Sequence, residues 1–407
     1  MRVAIISKAN SKGGGASRVA EDLATWLNGS GHTADHFISF FKGEALPFQR
    51  SLYGEDLSFK LCKNIHSVTG RFGFPELLPV EYWFSIRKVL DEYDVIHFHD
   101  LYTAISPLTL ALVSQRKPTF FTVHDCSAFT GGCLYPMECD KFSSYCHQCP
   151  QLGQNTWKDR FRDHTREIQS IQRWVAKNCQ IRYIFAGEWI AQQARLALTF
   201  KLPPVLIPYG LDLQTTFSCL NKRESKTKLG IPENRPVIAL AAYSLNDERK
   251  GVRYALEAVK SVTDLSPIVV TVGECNNDVR QALRGLEVKE VGFISDPKER
   301  AEVYCASDIL LFCSLADNMP LTVLEAMAAS TVIVGFSIGG VPEMIQTKHN
   351  GILVEPTNQE ALNQALRQAL LSTDLLEMGQ QARRDIETKF SHTTFLERHL
   401  QLYQEVT

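Results

Sequence analysis

Short apolar runs rich in Val and Ile recur along the chain, separated by longer stretches in which apolar residues return every three or four positions. That alternation is what a parallel sheet buried on both faces by helices requires of its sequence. In the first half the runs predict strands over 3–6, 95–98, 119–123, 182–185 and 205–207, and in the second half over 237–241, 268–272, 287–291, 309–312 and 331–335. Helical spacing fills intervals such as 16–27, 252–262, 299–305, 322–329 and 360–371. The series breaks once, at Pro208-Tyr209-Gly210-Leu211-Asp212 and the polar segment that follows it through Lys228. The reading is an α/β chain of two Rossmann-like doubly wound domains facing an interdomain cleft, 1–212 and 213–385. A last helix within 386–407 is expected to cross back to the first domain. Sheets of this kind hold ligands at the carboxyl ends of their strands, so the chemistry is sought there.

Composition narrows the classes of function. The chain has 407 residues, enough for two cores, and is 44% hydrophobic and 22% charged with a net charge of -2. Basic residues are interspersed with acidic ones, which argues against nucleic acid as a partner. The apolar run after Met1-Arg2 is too short for a secretory signal, and no stretch approaches the length needed to span a bilayer. A cytoplasmic protein is expected, with peripheral contact at the inner face of the cell membrane left open. Eleven cysteines in such a chain read as reduced thiols, one cluster apart.

Four groups of residues carry candidate chemistry. Gly13-Gly14-Gly15 follows the first strand and opens a helix, where backbone N–H groups can approach an anion; neither the dinucleotide spacing nor a Walker lysine is present. His97-Phe98-His99-Asp100 and His124-Asp125 close two further strands, offering hydrogen-bond partners for sugar hydroxyls, a metal site, or satisfied structural histidines. In the second half Arg249-Lys250-Gly251 places two cations at a strand end, suited to a leaving diphosphate or simply to solvent. Finally Asp317-Asn318-Met319-Pro320-Leu321-Thr322 leads into a helix carrying Glu325. Pro320 suits a first helical turn, leaving the N–H groups of Met319, Leu321 and Thr322 for phosphate or sugar oxygens. A carboxylate one turn in, at Glu325, can accept both hydroxyls of a ribose.

An acid, seven intervening residues and Glu325, then Gly339-Gly340-Val341-Pro342-Glu343 and Asn350-Gly351-Ile352-Leu353-Val354, resemble the retaining glycosyltransferases of family 4 (glycosyl transferases group 1), which have the GT-B fold. Gly14-Gly15-Ala16, His124-Asp125, the 208–212 hinge and Arg249-Lys250-Gly251 fall in the family's order, so the resemblance covers nearly the whole chain. It implies a sugar moved with retention from a UDP- or GDP-linked donor to a saccharide or lipid-linked acceptor, in polysaccharide or glycoconjugate synthesis. It also implies that Glu325 holds the ribose, Asp317 the donor sugar, and Arg249 with Lys250 the pyrophosphate. Gly14 and Gly15 would lie against phosphates or sugar, His124 would touch the transferred sugar or acceptor, and His99 and Asp125 would add sugar contacts. No catalytic metal is expected. Three positions depart from the family pattern: Asp317 stands where Glu is usual, Tyr209 precedes the hinge glycine in place of Asn, and Arg249 is adjacent to Lys250 and not about five residues before it. A sugar-nucleotide 2-epimerase or a scaffold without turnover fits the same fold.

Cys133, Cys139, Cys146 and Cys149 fall within 17 residues of an insert over about 131–150. Four thiolates could close a structural zinc, pack as reduced thiols, or serve a redox role. A similar Cys-rich insert occurs in exopolysaccharide-building relatives, which implies an architectural purpose.

Overall fold

The structure, a computed structural model, describes residues 1–54, 56–74, 76–102, 104–152, 163–218 and 220–406. One of the eleven cysteines, Cys219, lies outside the described residues. Two compact units are present: Met1–Pro208 with Leu396–Thr407, and Tyr209–Phe395.

The first unit is built on β1 (Arg2–Ala9), β2 (Thr33–Phe40), β3 (Gln49–Ser51), β4 (Val95–Phe98), β5 (Thr119–Val123), β6 (Ile181–Phe185) and β7 (Val205–Leu206). They pair in parallel in the order β3-β2-β1-β4-β5-β6-β7. Strand order turns outward in both directions from the β1/β4 pair, the place where a doubly wound sheet opens a crevice. Val3, Ile5, Val95, Phe98 and Ile184 are fully buried. Each such side chain withdrawn from water contributes about 1.5–3 kcal/mol, which is why these runs are continuous and do not alternate.

The second unit repeats the plan with β8 (Val237–Ser244), β9 (Ile268–Glu274), β10 (Glu287–Gly292), β11 (Ile309–Phe312), β12 (Val332–Phe336) and β13 (Gly351–Val354), ordered β10-β9-β8-β11-β12-β13. Its crevice lies at the carboxyl ends of β8 and β11.

Three strands were not expected from the sequence. In β2 the apolar run is broken by Asp35 and His36, and His36 is tolerated at full burial because its Nε2 lies 2.8 Å from Ser7 Oγ. β3 has three residues, and β13 begins on a glycine. The unit boundaries also differ from 212/213 and 385/386. Leu211 donates to Phe390 O and accepts from His392 N–H, so 209–212 and 386–395 stay together in the second unit. The helix His392–Gln404 then delivers Tyr403 to the first unit, where its hydroxyl is 2.5 Å from His97 Nδ1. Among the described residues no helix is long and apolar enough to cross a membrane.

Candidate active site

Arg249 and Lys250 lie in the turn that follows β8. Asp247 caps the short turn Glu248–Lys250 by accepting from Arg249 N–H at 2.9 Å. Gly251 ends that turn in the left-handed region at φ 63°, where a Cβ would stand 2.0 Å from Cys313 O. Only glycine lets the β8 and β11 ends approach so closely. Arg249 Nη1 donates to Ala316 O at 2.7 Å, and Arg249 O accepts from Leu315 N–H at 2.7 Å.

Lys250 and Asp317, sixty-seven positions apart in the chain, meet in space: Lys250 Nζ is 2.7 Å from Asp317 Oδ2, with Arg249 Nη1 at 3.6 Å from the same oxygen. Asp317 is buried, and its backbone rests on a second glycine in the left-handed region: at Gly339 (φ 54°) a Cβ would meet Asp317 O at 1.8 Å. Asp247 Oδ2 also pairs with Arg249 Nη2, at 3.0 Å, so two cations and two carboxylates form one fixed cluster in which the charges balance.

The helix Leu321–Ala328 starts from this cluster. Pro320 is the cap and not the first helical residue, with ψ 122° and no side-chain cap bond. The positive end of the helix dipole therefore begins at Leu321 and Thr322, both partly exposed, while Met319 is buried. Glu325 is buried at 3% exposure and meets Arg300 as a fork, Nε to Oε1 and Oε2 at 3.0 and 3.1 Å and Nη2 to Oε1 at 2.9 Å. Arg300 also donates to Ile294 O at 3.0 Å, tying Glu325 to the loop after β10.

Sequence reasoning missed Arg300. It stands on the helix Pro297–Ala306 among Lys298 and Glu299, and nothing in that stretch separates it from a solvated face. Also unforeseen is the edge-to-face pair Tyr243 and Phe293, 5.3 Å apart and both about half exposed, at the ends of β8 and β10.

In the first unit the loop after β1 turns on Gly14, at φ 128° and ψ -178°, and the helix Gly15–Gly29 starts behind it without a side-chain cap. His99 and His124 meet, Nδ1 to Nε2 at 3.0 Å. His99 is fully buried, its ring packs 4.3 Å from that of His97, and its Nδ1 bond to His124 fixes the orientation of both rings. His97 is also fully buried, held by Tyr403 and by Thr122 Oγ1 at 2.8 Å, as a structural histidine would be. Burial depresses all three, His97 and His99 well below the usual imidazole range and His124 to about 3. They are neutral at physiological pH. Asp125 caps the turn Cys126–Ala128, accepting from Ser127 N–H at 2.8 Å. Its neighbour Asp100 is pushed up to about 7, first by burial and then by the Asp125 carboxylate. A carboxyl that changes charge near neutrality just past the end of a strand is a functional-site candidate. The cavity that Tyr102 and Ser127 help to line is otherwise largely apolar, with Phe74, Leu101, Ile105 and Ile171.

The four cysteines of the insert carry free thiols around one small cavity shared with His147. Gly131 N–H points at Cys146 Sγ, 3.2 Å away. Burial pushes Cys133 to about 12 and Cys146 to about 11. Of the three readings open for them, the structural zinc finds no support, because among the described residues no group of three or more His, Cys, Asp or Glu is arranged to hold a metal ion. Protonated thiols at this burial pack as small apolar groups, and a reactive thiolate is disfavoured.

A model described as Glycosyltransferase Family 4 matches residues 13–215, and one described as Glycosyl transferases group 1 matches residues 235–372. The chain is 26% identical over 216 residues to N-acetyl-alpha-D-glucosaminyl L-malate synthase of Bacillus anthracis, covering 49% of this chain and 56% of that protein. It therefore spans little more than half of that relative's length. Sucrose-phosphate synthase of Thermosynechococcus elongatus superimposes with a TM-score of 0.75 at 18% identity, over 99% of this chain and 98% of that one. Anabaena HepE in complex with UDP-glucose does so at 0.67 and 16%, over the full length of both. At these identities the likeness shows the fold, α/β of the GT-B type.

Proposed function

The chain belongs to glycosyltransferase family 4, the glycosyl transferases group 1, and from that premise we propose that it moves a sugar, with retention, from a nucleotide-diphosphate donor to a hydroxyl of a saccharide or lipid-linked acceptor. The observation that carries the reading is the charge cluster at the start of Leu321–Ala328: Lys250 and Arg249 on Asp317, with Glu325 one turn further on. In this reading the diphosphate lies against Lys250, Arg249 and the N–H groups of Leu321 and Thr322. Glu325 receives the ribose hydroxyls, its carboxylate held in place by Arg300. Asp317 and its partner cations face the transferred sugar, with His124, neutral, as a hydrogen-bond partner of sugar or acceptor. Tyr243 and Phe293 offer apolar ring surface for the base. A UDP-linked donor is the first to try, since Anabaena HepE is similar in fold and was solved with UDP-glucose.

The bond between the anomeric carbon and the phosphate oxygen breaks while one to the acceptor oxygen forms on the same face. The acceptor proton passes to the departing phosphate oxygen, and the cations with the helix N-terminus stabilise the charge left on the diphosphate. Neither Asp317 nor Glu325 is assigned as a nucleophile, in contrast to the paired carboxylates of retaining glycosidases.

The test is to incubate the chain with a panel of nucleotide sugars, with and without saccharide acceptors, and to follow free nucleoside diphosphate and the anomeric configuration of the product. Acceptor-dependent release with a retained anomer supports the reading. Epimerised donor formed without acceptor overturns it in favour of an epimerase, and absence of nucleotide binding in favour of a scaffold.

A further inference from the structure

The helix Thr165–Asn178 of the first unit carries Ile168, Ile171 and Gln172 at positions three and four apart, so the three side chains share a face. That face closes a cavity against Leu101 and Ile105 from the loop after β4 and Ala128 from the turn after β5. The cavity measures about 60 Å³, room for roughly five groups the size of a water molecule. Its wall is largely apolar. Gln172 Nε2 donates to Ser127 O at 2.6 Å, but Gln172 Oε1 is buried and has no hydrogen-bond partner among the described residues. A buried acceptor left in this way favours a ligand that brings a donor.

Carboxylates gather at the mouth. Glu76 lines the cavity, and Asp100 and Asp125 stand two residues before the lining residues Tyr102 and Ser127. The Tyr102 hydroxyl is held above the usual phenol range first by burial and then by Glu76, Asp125, Cys133 and Asp100, so all of these groups act on one point. Lys8, near the end of β1, has its Nζ 5.7 Å over the Tyr102 ring. It draws Asp100 down only in part, since that carboxyl stays pushed up to about 7 by burial and by Asp125. A further anion would meet the same repulsion. Sugar hydroxyls meet the opposite, because each brings an O–H to a carboxylate and such charge-assisted bonds are the stronger kind.

We propose that this cavity and its acidic mouth select the acceptor: an uncharged saccharide bearing a short apolar substituent, the substituent inside the cavity and sugar hydroxyls donating to Asp100. The proposal rests on the sugar-transfer reading and goes past it by naming the class of acceptor, one without a phosphate or carboxylate beside the apolar group.

Titration calorimetry of the full chain, without nucleotide sugar, against the methyl and butyl glycosides of glucose, galactose, mannose and N-acetylglucosamine tests it. Each methylene taken from water is worth about fourfold in affinity, so the butyl glycoside of the matching sugar is expected to bind at least about tenfold tighter than the methyl one. The 6-phosphate of that butyl glycoside is expected to bind about tenfold weaker or worse, and Asp100→Asn to recover part of the loss. Ala128→Leu fills the cavity and is expected to bring the butyl glycoside down to the level of the methyl one. Ile168→Asn, at a half-buried position, makes the wall polar and decides the matter if Ala128→Leu melts early. The proposal is overturned if no butyl glycoside binds better than its methyl counterpart, if either folded cavity variant keeps the gain, or if the 6-phosphate binds as well as the neutral glycoside. Such failures leave the sugar-transfer reading standing. Binding as expected, with no nucleoside diphosphate released when nucleotide sugars are added, would overturn that reading, and with it the role of the bound glycoside as acceptor.

Discussion

Acidification should weaken the first unit specifically, because four histidines are buried neutral there. His36 and His124 are depressed to about 3 and His97 and His99 lie well below the usual range, in each case chiefly through burial. A histidine with a depressed native pKa leaves the unfolded state to bind the proton, so stability is present above the unfolded pKa, about 6.5, and is lost as pH falls through it. Between about pH 7.5 and about pH 5.5 each contributes a loss of about 1.3 kcal/mol, and the four together about 5. Asp100 opposes them. Raised to about 7, it takes up a proton in the native state over the same interval and returns about 2 kcal/mol. The expected net loss is about 3 kcal/mol, several degrees in the melting of a unit this size. Native-state hydrogen exchange at the amides of β4 and β5, corrected for intrinsic rates, reads this locally. Opening free energies that stay level over the interval, or imidazole resonances of these four residues that titrate near 6.5, would refute the reasoning.

Other outcomes follow from the same geometry. Arg300→Ala strands the buried Glu325 carboxylate, and is expected to cost the second unit about 3–5 kcal/mol in urea denaturation; Arg300→Lys should recover little, because the fork needs two donors in one plane. Asp317→Asn removes the anion that occupies Lys250 and leaves Arg249 with Asp247 alone. Calorimetry is expected to show nucleoside diphosphate bound about tenfold tighter, from a coupling of about 1.5 kcal/mol, while sugar turnover falls. Unchanged or weaker binding would mean that the diphosphate does not share those cations.

Much of the scaffold was legible because strands buried on both faces must be apolar throughout, and the runs at 95–98, 119–123 and 309–312 coincide with β4, β5 and β11. β2 was illegible since its interior carries Asp35 and His36, whose tolerance depends on a tertiary bond to Ser7. At the candidate site, Lys250, Asp317 and Glu325 stood out as charged residues placed beside strand ends and a helix start. The pairing among them did not, since an ion pair across sixty-seven residues leaves no local pattern. Arg300 was hidden for the same reason, its length and burial being properties of the fold. At His99 the residue pattern left ligand and core equally open, because a histidine two residues from another at a strand end suits both; its full burial is a property of the fold. The cysteines were close enough in sequence to suggest a metal, but spacing alone does not set the directions of four sulfurs.

The most direct measurement is acceptor-dependent release of nucleoside diphosphate from a UDP-linked sugar, with the unaltered chain, Lys250→Ala and Glu325→Gln side by side. Glutamine at 325 keeps a partner for Arg300, so loss of turnover there would not report unfolding. The unaltered chain is expected to release diphosphate in step with glycosylated acceptor. Lys250→Ala is expected to lose about a hundredfold or more of that rate with its circular dichroism unchanged, as removal of a group that stabilises developing charge does elsewhere. Turnover in Lys250→Ala near that of the unaltered chain would contradict the placement of the diphosphate beside Lys250 and Asp317.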